Sequence, residues 1–478
     1  MRSALNSSFI SKFVLALVLW APNAIGAQDA PAIQQLYAFA CDGTSCPQGE
    51  YPNTLIQSAD GNFYGTTASS GTGNSAAGTV FKVTPAGQLS TVYTFVADQN
   101  GQFPNGGSPT GLIEGNDGYL YGTAAYGGAN SHGIAFRLDK SGDLQVLHSF
   151  CALKSCADGT LPLSLSLGRD GSFYGATTAI IGATNGVIFR LSGDGTFSVL
   201  HSLASQTEGP SSLGMTQAPN GDFYGTTLGG ETLLTTLFRL TPAGQFKILQ
   251  TFHYAQFADS PPVLDANGKL YGSLSRYEVQ SQPGMFESSL SGKRFTQYPL
   301  QYDFGDSMIA LTATPDTNLW GIIPGANDFP NGAVLSLSEK GKLLQSVSFD
   351  GANGADPDAP LVEGSDGTIY GVAASGGTVG GGNTANGVVF ALNAGLPAPP
   401  PAISRVVPSK GRIGAQVMLN GTHFIGTTAV AFNGVAAPFQ LLNTGDILAT
   451  VPQGATTGLL TVTNMGGSAS SKEPFTVK

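Results

Sequence analysis

The sequence predicts an all-β protein, a seven-bladed β-propeller closed by its N-terminal strand and followed by a C-terminal Ig-like β-sandwich. Three observations lead to this fold class. A turn-and-aromatic motif recurs seven times along most of the chain. One strand that every repeat needs stands ahead of the first motif and is missing after the last one. A separate β-rich segment follows a proline-rich spacer near the C-terminus.

The motif consists of a turn, an apolar residue, an aromatic residue and a glycine, as in DGNFYG at residues 60–65. Successive aromatic residues are 57, 53, 50, 47, 49 and 50 residues apart, which suits one four-stranded propeller blade per repeat. Asp-Gly and Asn-Gly pairs favour the tight turns that join paired strands. The seven aromatic residues, to which we assign a structural role, are Tyr64, Tyr121, Tyr174, Tyr224, Tyr271, Trp320 and Tyr370.

Each repeat contains the pattern of four strands, and the fourth strand indicates how the ring closes. Fourth strands follow six of the seven repeats, for example from Leu89 to Phe95. The seventh copy of this pattern runs from Ile33 to Phe39, ahead of the first repeat, whereas the last repeat stops after Leu392. Pairing these two segments would remove two exposed sheet edges. We therefore predict that the N-terminal strand completes the last blade.

The composition excludes several classes of protein. The chain has 66 glycines without a collagen-like period, 41% hydrophobic residues and only 11% charged residues, so it is neither collagenous nor disordered. Without the first 27 residues, 19 Lys and Arg face 31 Asp and Glu, a net charge of −12. No basic cluster in the sequence offsets this charge, and we expect no nucleic-acid partner.

Residues 1–27 have the pattern of a secretory signal peptide. Arg2 and Lys12 precede an apolar run from Phe13 to Trp20, and small residues follow at the expected cleavage point after Gly26 or Ala27. The apolar run is too short to span a bilayer, and an uncleaved anchor is the alternative. We expect no transmembrane segment in the mature chain, and we assign residues 28–395 to the propeller.

The four cysteines form two local pairs, Cys41 with Cys46 and Cys151 with Cys156. In an exported protein such pairs predict disulfides that close short loops. A metal site is the alternative. Its support is weaker, because the spacing differs from that of zinc knuckles and no nearby histidine completes a ligand set.

The segment after residue 395 divides into a linker and a small domain. Residues 396–401, LPAPPP, form a stiff proline-rich linker. Residues 402–478 contain short β-rich runs separated by turns, which is typical of a small sandwich. The strings LNGTHF at 419–424, VAFNG at 430–434 and VPQGA at 451–455 resemble those of an IPT/TIG domain. This resemblance implies an Ig-like fold and no particular activity.

The repeats resemble the GloVer tandem repeat of bacterial exported proteins. The resemblance rests on the string Asp-Gly-x-apolar-Tyr-Gly-Thr-Thr and on the Gly-x-Val-Phe-x-Leu that follows it. Copies one and four keep Tyr-Gly-Thr-Thr, at 64–67 and 224–227, whereas copies five and six are degenerate. The family is defined by its repeat, so the resemblance implies an exported propeller and leaves the ligand open.

The candidate catalytic residues fit structural roles better. His148 and His201 occupy a strand-four position that Tyr93 fills in another repeat. The repeated turn aspartates are replaced in two repeats by Asn220 and Asn267, which a turn accepts and proton transfer does not. We therefore interpret the aspartates as turn formers; they are Asp60, Asp117, Asp170, Asp316 and Asp366.

Two loops and three aromatic residues are candidates for ligand contacts. The loops at 98–101 and 350–356 carry closely spaced oxygen ligands that could hold Ca²⁺, but neither has the full loop with a terminal Glu. Turn formation is the preferred interpretation, and no other cofactor is expected. Phe103, Tyr126 and Phe329 lie in loops and could stack on sugar rings, or could be scattered apolar surface.

Two functions remain. The preferred one is an exported, non-catalytic binding or scaffolding protein that is secreted, periplasmic or at the cell surface and binds an envelope glycan or protein as a monomer. The alternative is a propeller-type lyase or glycoside-active enzyme. The repeat is also similar to that of streptogramin lyases, which use a histidine and carboxylates around a divalent metal. Of the five histidines, His132 comes nearest to that context.

Overall fold

The computed structural model describes residues 31–41, 46–70, 76–179, 185–228, 234–252, 256–258, 260–276, 283–300, 310–325, 328–379 and 383–478. The predicted signal peptide, residues 1–27, lies outside these residues. Within them the chain is all-β, with a 3₁₀ helix at Lys154–Cys156. No helix in these ranges is both long enough and apolar enough to cross a membrane.

The described strands between residues 33 and 392 form seven antiparallel sheets, which we number in chain order. Strand β1, Ile33–Ala38, precedes sheet 1. Sheets 1 to 4 each contain four strands in sequential order. Sheet 1 consists of β2 Glu50–Gln57, β3 Phe63–Ser69, β4 Ala76–Val83 and β5 Leu89–Val96; sheet 2 of β6 Gly107–Glu114, β7 Leu120–Tyr126, β8 Ile134–Leu138 and β9 Leu144–Ser149; sheet 3 of β10 Thr160–Leu167, β11 Phe173–Thr178, β12 Val187–Leu191 and β13 Phe197–Ser202; sheet 4 of β14 Ser211–Gln217, β15 Phe223–Leu228, β16 Thr235–Leu240 and β17 Phe246–Phe252.

Sheets 5 to 7 keep this order, with the first strand interrupted in sheets 5 and 7. Sheet 5 consists of β18 Gln256–Phe257, β19 Val263–Leu264, β20 Lys269–Arg276, β21 Gly284–Ser289 and β22 Phe295–Pro299; sheet 6 of β23 Ala310–Ala313, β24 Leu319–Ile323, β25 Ala333–Leu337 and β26 Leu343–Ser348; sheet 7 of β27 Ala355–Pro357, β28 Val362–Glu363, β29 Ile369–Ser375 and β32 Val388–Leu392, with the hairpin β30 Thr378–Val379 and β31 Asn383–Thr384 between its last two strands.

The N-terminal strand supplies the outer strand of sheet 7. β1 pairs antiparallel with β32, so that Ile33 lies opposite Leu392 and Ala38 lies opposite Val388. This is the pairing that the strand count predicts. It joins the two ends of the repeat region in one sheet.

Antiparallel order gives each sheet two distinct ends. The connections from the first to the second strand and from the third to the fourth lie at one end, which we call the turn end. The connections from the second to the third strand and from the fourth strand to the next sheet lie at the other end, which we call the loop end. The Asp-Gly turns of the motif therefore all lie at turn ends.

Close packing explains the glycine that follows each motif aromatic. A Cβ on Gly65 would lie 2.3 Å from the ring of Phe81, which belongs to the adjacent strand β4. In sheet 2 a Cβ on Gly122 would lie 2.4 Å from the ring of Phe136. The phenylalanine of the third strand thus fills the space that the missing side chain leaves, and both residues recur together.

Neighbouring sheets contact one another through both apolar and polar groups. The Tyr121 ring of sheet 2 stacks on Phe173 of sheet 3 at 3.9 Å, and Phe63 of sheet 1 packs on Tyr370 of sheet 7 at 4.2 Å between ring centres. Side chains near the first strands also donate to carbonyls of the next sheet. These bonds join Asn53 to Pro109, Thr110 to Pro162, Ser164 to Leu213, Thr226 to Ser260 and Thr312 to Leu361.

The C-terminal segment forms a two-layer sandwich. One sheet has the order β33-β35-β39-β38 and the other β37-β36-β40-β41, with the parallel pair β34 and β42 at one end. Leu419, Phe424, Phe432 and Val462, which are at most 1% exposed, lie in its core. The strands are β33 Ala402–Val407, β34 Lys410–Gly411, β35 Gln416–Thr422, β36 Ala429–Phe432, β37 Val435–Ala436, β38 Phe439–Asn443, β39 Asp446–Thr450, β40 Leu460–Asn464, β41 Gly467–Ser470 and β42 Thr476–Val477.

Candidate functional site

The turn residue four positions before a motif tyrosine is bonded to its phenol. The Tyr64 phenol donates to Asp60 Oδ2 at 2.9 Å, and Asp60 Oδ1 accepts the N–H of Asn62 at 3.0 Å. Asn220 replaces the aspartate in sheet 4, and its amide donates to the Tyr224 phenol at 3.0 Å. An amide serves as well as a carboxylate here, which supports the structural interpretation of the aspartates. The same contact joins Tyr121 to Asp117, Tyr174 to Asp170 and Tyr370 to Asp366.

Two motif aromatics lack this contact. The Tyr271 phenol and the Trp320 Nε1 atom are buried and have no hydrogen-bond partner among the described residues. In sheet 5 the amide of Asn267 donates to Asp265 at 3.4 Å instead. Sheets 5 and 6 thus keep the aromatic core of the repeat and lose its polar contact, in keeping with their degenerate motifs.

The histidines of the fourth strands hold the following loops in place. His148 Nε2 lies 3.0 Å from Asp158 Oδ2, and its ring stacks on Phe197 at 3.8 Å. Asp158 also accepts two backbone N–H groups of its own loop. Burial lowers the pKa of His148, although the bond to Asp158 opposes this shift. His201 and Glu208 repeat the arrangement in the next sheet at 2.8 Å.

Sheet 1 makes the equivalent contact without an ionisable pair. The amide of Asn105 donates to the Tyr93 phenol at 3.0 Å, between the fourth strand and the loop that follows it. Tyrosine with asparagine and histidine with a carboxylate therefore perform the same task. A role in proton transfer is not needed to explain His148 or His201.

The remaining histidines are spread over the molecule. His132 Nδ1 lies 2.6 Å from the carbonyl of Asn130 and near the sulfurs of Cys151 and Cys156. These sulfurs are joined in a disulfide, so they offer no thiolate ligand to a metal. Cys41 and Cys46 form the second disulfide. Both pairs agree with the expected disulfides, and His253 lies outside the described residues.

A buried serine and a buried glutamate meet a half-buried lysine between sheets 1 and 2. The Ser58 hydroxyl donates to Glu114 Oε1 at 2.7 Å and accepts from Lys140 Nζ at 2.8 Å. Lys140 also pairs with Glu114 at 2.7 Å. Ser58 is fully buried, so a substrate has no access to its hydroxyl. The cluster serves to join two sheets.

Glu114 also takes part in a second kind of contact between sheets, which we call a turn clasp. The last residue of a first strand accepts the turn N–H of the preceding sheet. Glu114 accepts the N–H of Ala59 at 2.8 Å. In the same way Gln217 accepts from Arg169 at 2.9 Å, and Gln57 of sheet 1 accepts from Ser365 of sheet 7 at 3.1 Å.

Sheets 6 and 7 do not form this turn clasp, and the acceptor residue of sheet 7 contacts the C-terminal domain instead. Sheet 6 has Pro315 at the donor position, and proline has no N–H. Glu363, at the acceptor position of sheet 7, instead lies with its Oε2 atom 3.5 Å from His423 Nε2. The Glu363 side chain is 6% exposed, and its Oε2 atom has no hydrogen-bond partner among the residues that the structure describes. His423 is therefore the basic side chain that the C-terminal domain places beside this buried carboxylate.

Other contacts place the C-terminal domain against the turn ends of sheets 1, 2, 3 and 7. Asn443 donates to Asn116 of the sheet 2 turn. Burial and the charge of Arg405 lower the pKa of Arg169 in the sheet 3 turn. The linker also packs on sheet 7, because a Cβ on Gly367 would lie 2.5 Å from the Leu396 carbonyl oxygen.

A cleft of about 420 Å³ lies where the first and last sheets meet the C-terminal domain. Asp60 and Asp366 contribute carboxylates to it, Gln57 and Ser365 contribute an amide and a hydroxyl, and Ile425 of the C-terminal domain forms an apolar wall. Clefts between domains are common places for ligands. Each carboxylate is already bonded to a turn N–H and a phenol, so the cleft offers weak hydrogen-bond acceptors rather than free charges.

The loop ends contain the other candidate contacts. Asp98 Oδ1 accepts the N–H groups of Asn100 and Gln102, at 2.8 and 2.9 Å, so this carboxylate closes its own turn. Asp350 similarly accepts the N–H of Asn353 at 2.8 Å. Whether either loop takes up Ca²⁺ stays a prediction. Of the three aromatic candidates, Tyr126 is 57% exposed, whereas Phe103 and Phe329 are partly buried.

Comparison with known families places the repeats. A model described as the Gloeobacter/Verrucomicrobia repeat matches residues 51–260 and 217–397, which is more than half of the chain. The chain belongs to this family. The IPT/TIG domain model matches residues 401–477, so the C-terminal sandwich is an IPT/TIG domain. Both resemblances expected from the sequence are confirmed. No curated protein matches the chain.

Solved structures share the fold at low sequence identity. A fungal alcohol oxidase of the AA5 family in complex with copper is 13% identical with a TM-score of 0.50, covering 90% of this chain and 98% of the oxidase. The extracellular domain of a hybrid two-component system from B. thetaiotaomicron is 10% identical with a TM-score of 0.50. That match covers 94% of this chain and 59% of the domain, so the chain spans about six-tenths of it. These likenesses concern the fold alone.

The structure does not gather the predicted chemical residues into one centre. Within the described residues, His132 lies in the connection from β7 to β8, His148 in β9 and His201 in β13, each with its own partners. The IPT/TIG junction was not expected from the sequence. Pro315 in the turn position was the available signal, because it leaves Glu363 without the donor that other sheets provide.

Proposed function

We propose that the seven sheets close into a seven-bladed β-propeller. The pairing of β1 with β32 supports this arrangement, and so do the contacts of each sheet with the next. Sheet 7 meets sheet 1 through the Phe63–Tyr370 ring contact and the clasp between Ser365 and Gln57. In a closed ring every blade face packs against a neighbouring blade, which explains why the repeats can contain so few charged residues.

We propose that the protein is an exported, non-catalytic binding or scaffolding protein. The observation that carries this proposal is the equivalence of Tyr93–Asn105 with His148–Asp158 and His201–Glu208. Where repeats exchange an ionisable pair for a neutral one, the pair acts through its geometry. The signal-peptide pattern of residues 1–27 supports export, and the B. thetaiotaomicron domain of similar fold is extracellular.

The loop ends are the proposed ligand-binding face. The IPT/TIG domain covers turn ends of sheets 1, 2, 3 and 7, which leaves the loop ends open. Tyr51 and Tyr126 lie at loop ends and are 46% and 57% exposed. Flat, exposed aromatic rings stack on the apolar faces of sugars. An envelope glycan is therefore the proposed ligand, and a protein surface is the second candidate.

A glycan and peptidoglycan array, with and without Ca²⁺, tests this proposal. We expect binding by the mature chain and a loss of up to about tenfold for Tyr51→Ala or Tyr126→Ala, since each stacked ring contributes about 0.5 to 1.5 kcal/mol. Tyr119→Ala is the matched control, because Tyr119 lies at a turn end beside Arg137. Binding unaffected by Tyr51→Ala and Tyr126→Ala would refute the proposed face, and a blank array would refute the glycan ligand.

The lyase alternative makes a different prediction. It requires a histidine and two carboxylates around one metal, and His132 is the residue nearest to that context. Turnover of a glycoside or lactone substrate that depends on added divalent metal and is lost in His132→Ala would establish it. Unchanged substrate in the presence of metal supports the binding function instead.

A further inference from the structure

The charges of the chain are unevenly divided between its two parts. Residues 28–395 contain 14 basic and 29 acidic residues, a net charge of −15. Residues 402–478 contain five basic and two acidic residues, a net charge of +3. Most of these cations are distant in sequence, so the sequence alone shows no basic cluster. The IPT/TIG fold brings four of them to one end of the domain.

We call this end the basic tip and define it by Lys410, Arg412, Lys472 and Lys478 with the apolar Ile413 and Leu459. Lys410 pairs with Thr476 in the parallel ladder of β34 and β42, and the Lys478 N–H donates to the Gly411 carbonyl at 2.9 Å. Gly458, next to Leu459, bridges to Phe475 just before β42. These links bring three separate segments together.

The basic tip faces away from the propeller. Contacts with the sheets come from the ends of strands where His423 follows β35 and where Asn443 to Asp446 join β38 to β39. The tip is formed at the opposite ends of the same strands, since Arg412 precedes β35 and Leu459 precedes β40. Strands of a sandwich run from one end to the other, so the tip is free of the docked face.

The side chains of the tip are exposed and lack counter-ions. All four basic residues are exposed, and none forms an ion pair with a residue that the structure describes. Ile413 is 49% exposed and Leu459 is 43% exposed. Cations interleaved with exposed apolar side chains suit the headgroup region of an anionic bilayer, where both kinds of group find partners.

We propose that the basic tip docks the protein onto the surface of an anionic lipid bilayer. The proposal goes beyond ligand binding, because it concerns the surface on which the protein is held and not the ligand that the loop ends bind. The remainder of the chain is repelled by such a surface, so only the tip can approach it and the loop ends point outward. A second copy of the chain is the competing partner, since its residues 28–395 carry a net charge of −15, and competition with vesicles separates the two outcomes.

Flotation of the mature chain with vesicles tests this docking. We expect binding to phosphatidylglycerol vesicles, none to phosphatidylcholine vesicles, and loss of binding at high salt. A basic residue at an anionic surface contributes about a fivefold increase in partition, so Lys410→Gln with Arg412→Gln should lower binding about 25-fold. Ile413→Ser with Leu459→Ser should lower it further while leaving the salt dependence in place.

Lys340→Gln with Lys342→Gln is the matched control, because these exposed lysines lie in a turn of sheet 6 and the charge change is the same. The control should bind vesicles as the unaltered chain does. Equal losses in both double variants, equal binding to neutral vesicles, or binding to anionic polysaccharide in place of vesicles would overturn the proposal. Self-association that vesicles do not compete with would overturn it as well. The glycan array is run without lipid, so its result is independent of this one.

Discussion

Asp358 should destabilise the folded chain at neutral pH, and Asp358→Asn should remove this effect. Asp358 follows β27, at the start of the interrupted first strand of sheet 7. The residue is exposed at the surface, but desolvation by the surrounding protein raises the pKa of its carboxyl to about 7, and the charge of Asp356 adds to this effect. In sheet 1 the corresponding residue is Asn53, whose amide donates to the Pro109 carbonyl at 2.9 Å. An amide is therefore suited to this position of the repeat.

The sign of the effect follows from the two pKa values. The folded state holds the Asp358 proton more tightly than the unfolded state, whose ordinary pKa is 3.8. Below about pH 4 Asp358 is protonated in both states, so it does not change the free energy of unfolding. Between about pH 4 and pH 7 the unfolded state ionises first, so the free energy of unfolding falls, and above pH 7 the full penalty remains. A pKa of about 7 in the folded state against 3.8 in the unfolded state sets a ceiling of about 4 kcal/mol. Solvent reaches the side chain, so we expect about 1 kcal/mol.

Denaturant unfolding over this pH range measures the effect. Asp358→Asn should be more stable than the unaltered chain by about 1 kcal/mol at about pH 8, with no difference near pH 4. Asp328→Asn is the control, because it removes an exposed carboxylate from the loop end of the neighbouring sheet. Identical pH profiles for the unaltered chain and Asp358→Asn would refute the reasoning, as would an equal gain in the control.

Three further predictions test the repeat and the junction. Tyr121→Phe should lower the free energy of unfolding by about 1 kcal/mol, because it removes the hydrogen bond of the Tyr121 phenol. Tyr271→Phe should not lower it, because the Tyr271 phenol has no hydrogen-bond partner among the described residues. Equal losses in the two variants would contradict this prediction. Deletion of residues 28–40 should expose β32 and lower the melting temperature by several degrees, and an unchanged melting curve would count against ring closure. Gly367→Ala should displace the linker from sheet 7 and speed proteolysis of the linker. Gly221→Ala should not, because the space around Gly221 is open. Equal cleavage rates in the two variants would rule out the contact between Gly367 and the linker.

The sheets and their order were predictable because the repeat encodes them locally. An Asp-Gly turn, the following aromatic and the glycine that receives the Phe81 ring are constraints within one sheet, and each recurs about every fifty residues. The pairing of β1 with β32 was predictable for a related reason. A missing strand at one end of a repeated pattern and a surplus strand at the other end can be matched by counting.

The junction with the IPT/TIG domain could not be predicted in this way. Glu363 and His423 are 60 residues apart and belong to different domains, so no periodicity connects them. The charges of the basic tip are equally hidden, since Lys410 and Lys478 become neighbours only through the β34–β42 ladder. Contacts that depend on how two domains meet, or on which chain segments a sandwich places together, have no local sequence pattern.

The contact between Glu363 and His423 explains how very few residue changes in one repeat can create a contact with another domain. In sheets 1, 3 and 7 a turn N–H is held by a carboxylate or amide of the next sheet, and these contacts are interchangeable. Pro315 removes one donor and leaves the acceptor in place. A buried carboxylate without a basic neighbour would cost several kcal/mol, and the docked IPT/TIG domain places His423 beside Glu363. Glu363 thus contacts the IPT/TIG domain from the position that Glu114, Gln217 and Gln57 use to bind the preceding sheet.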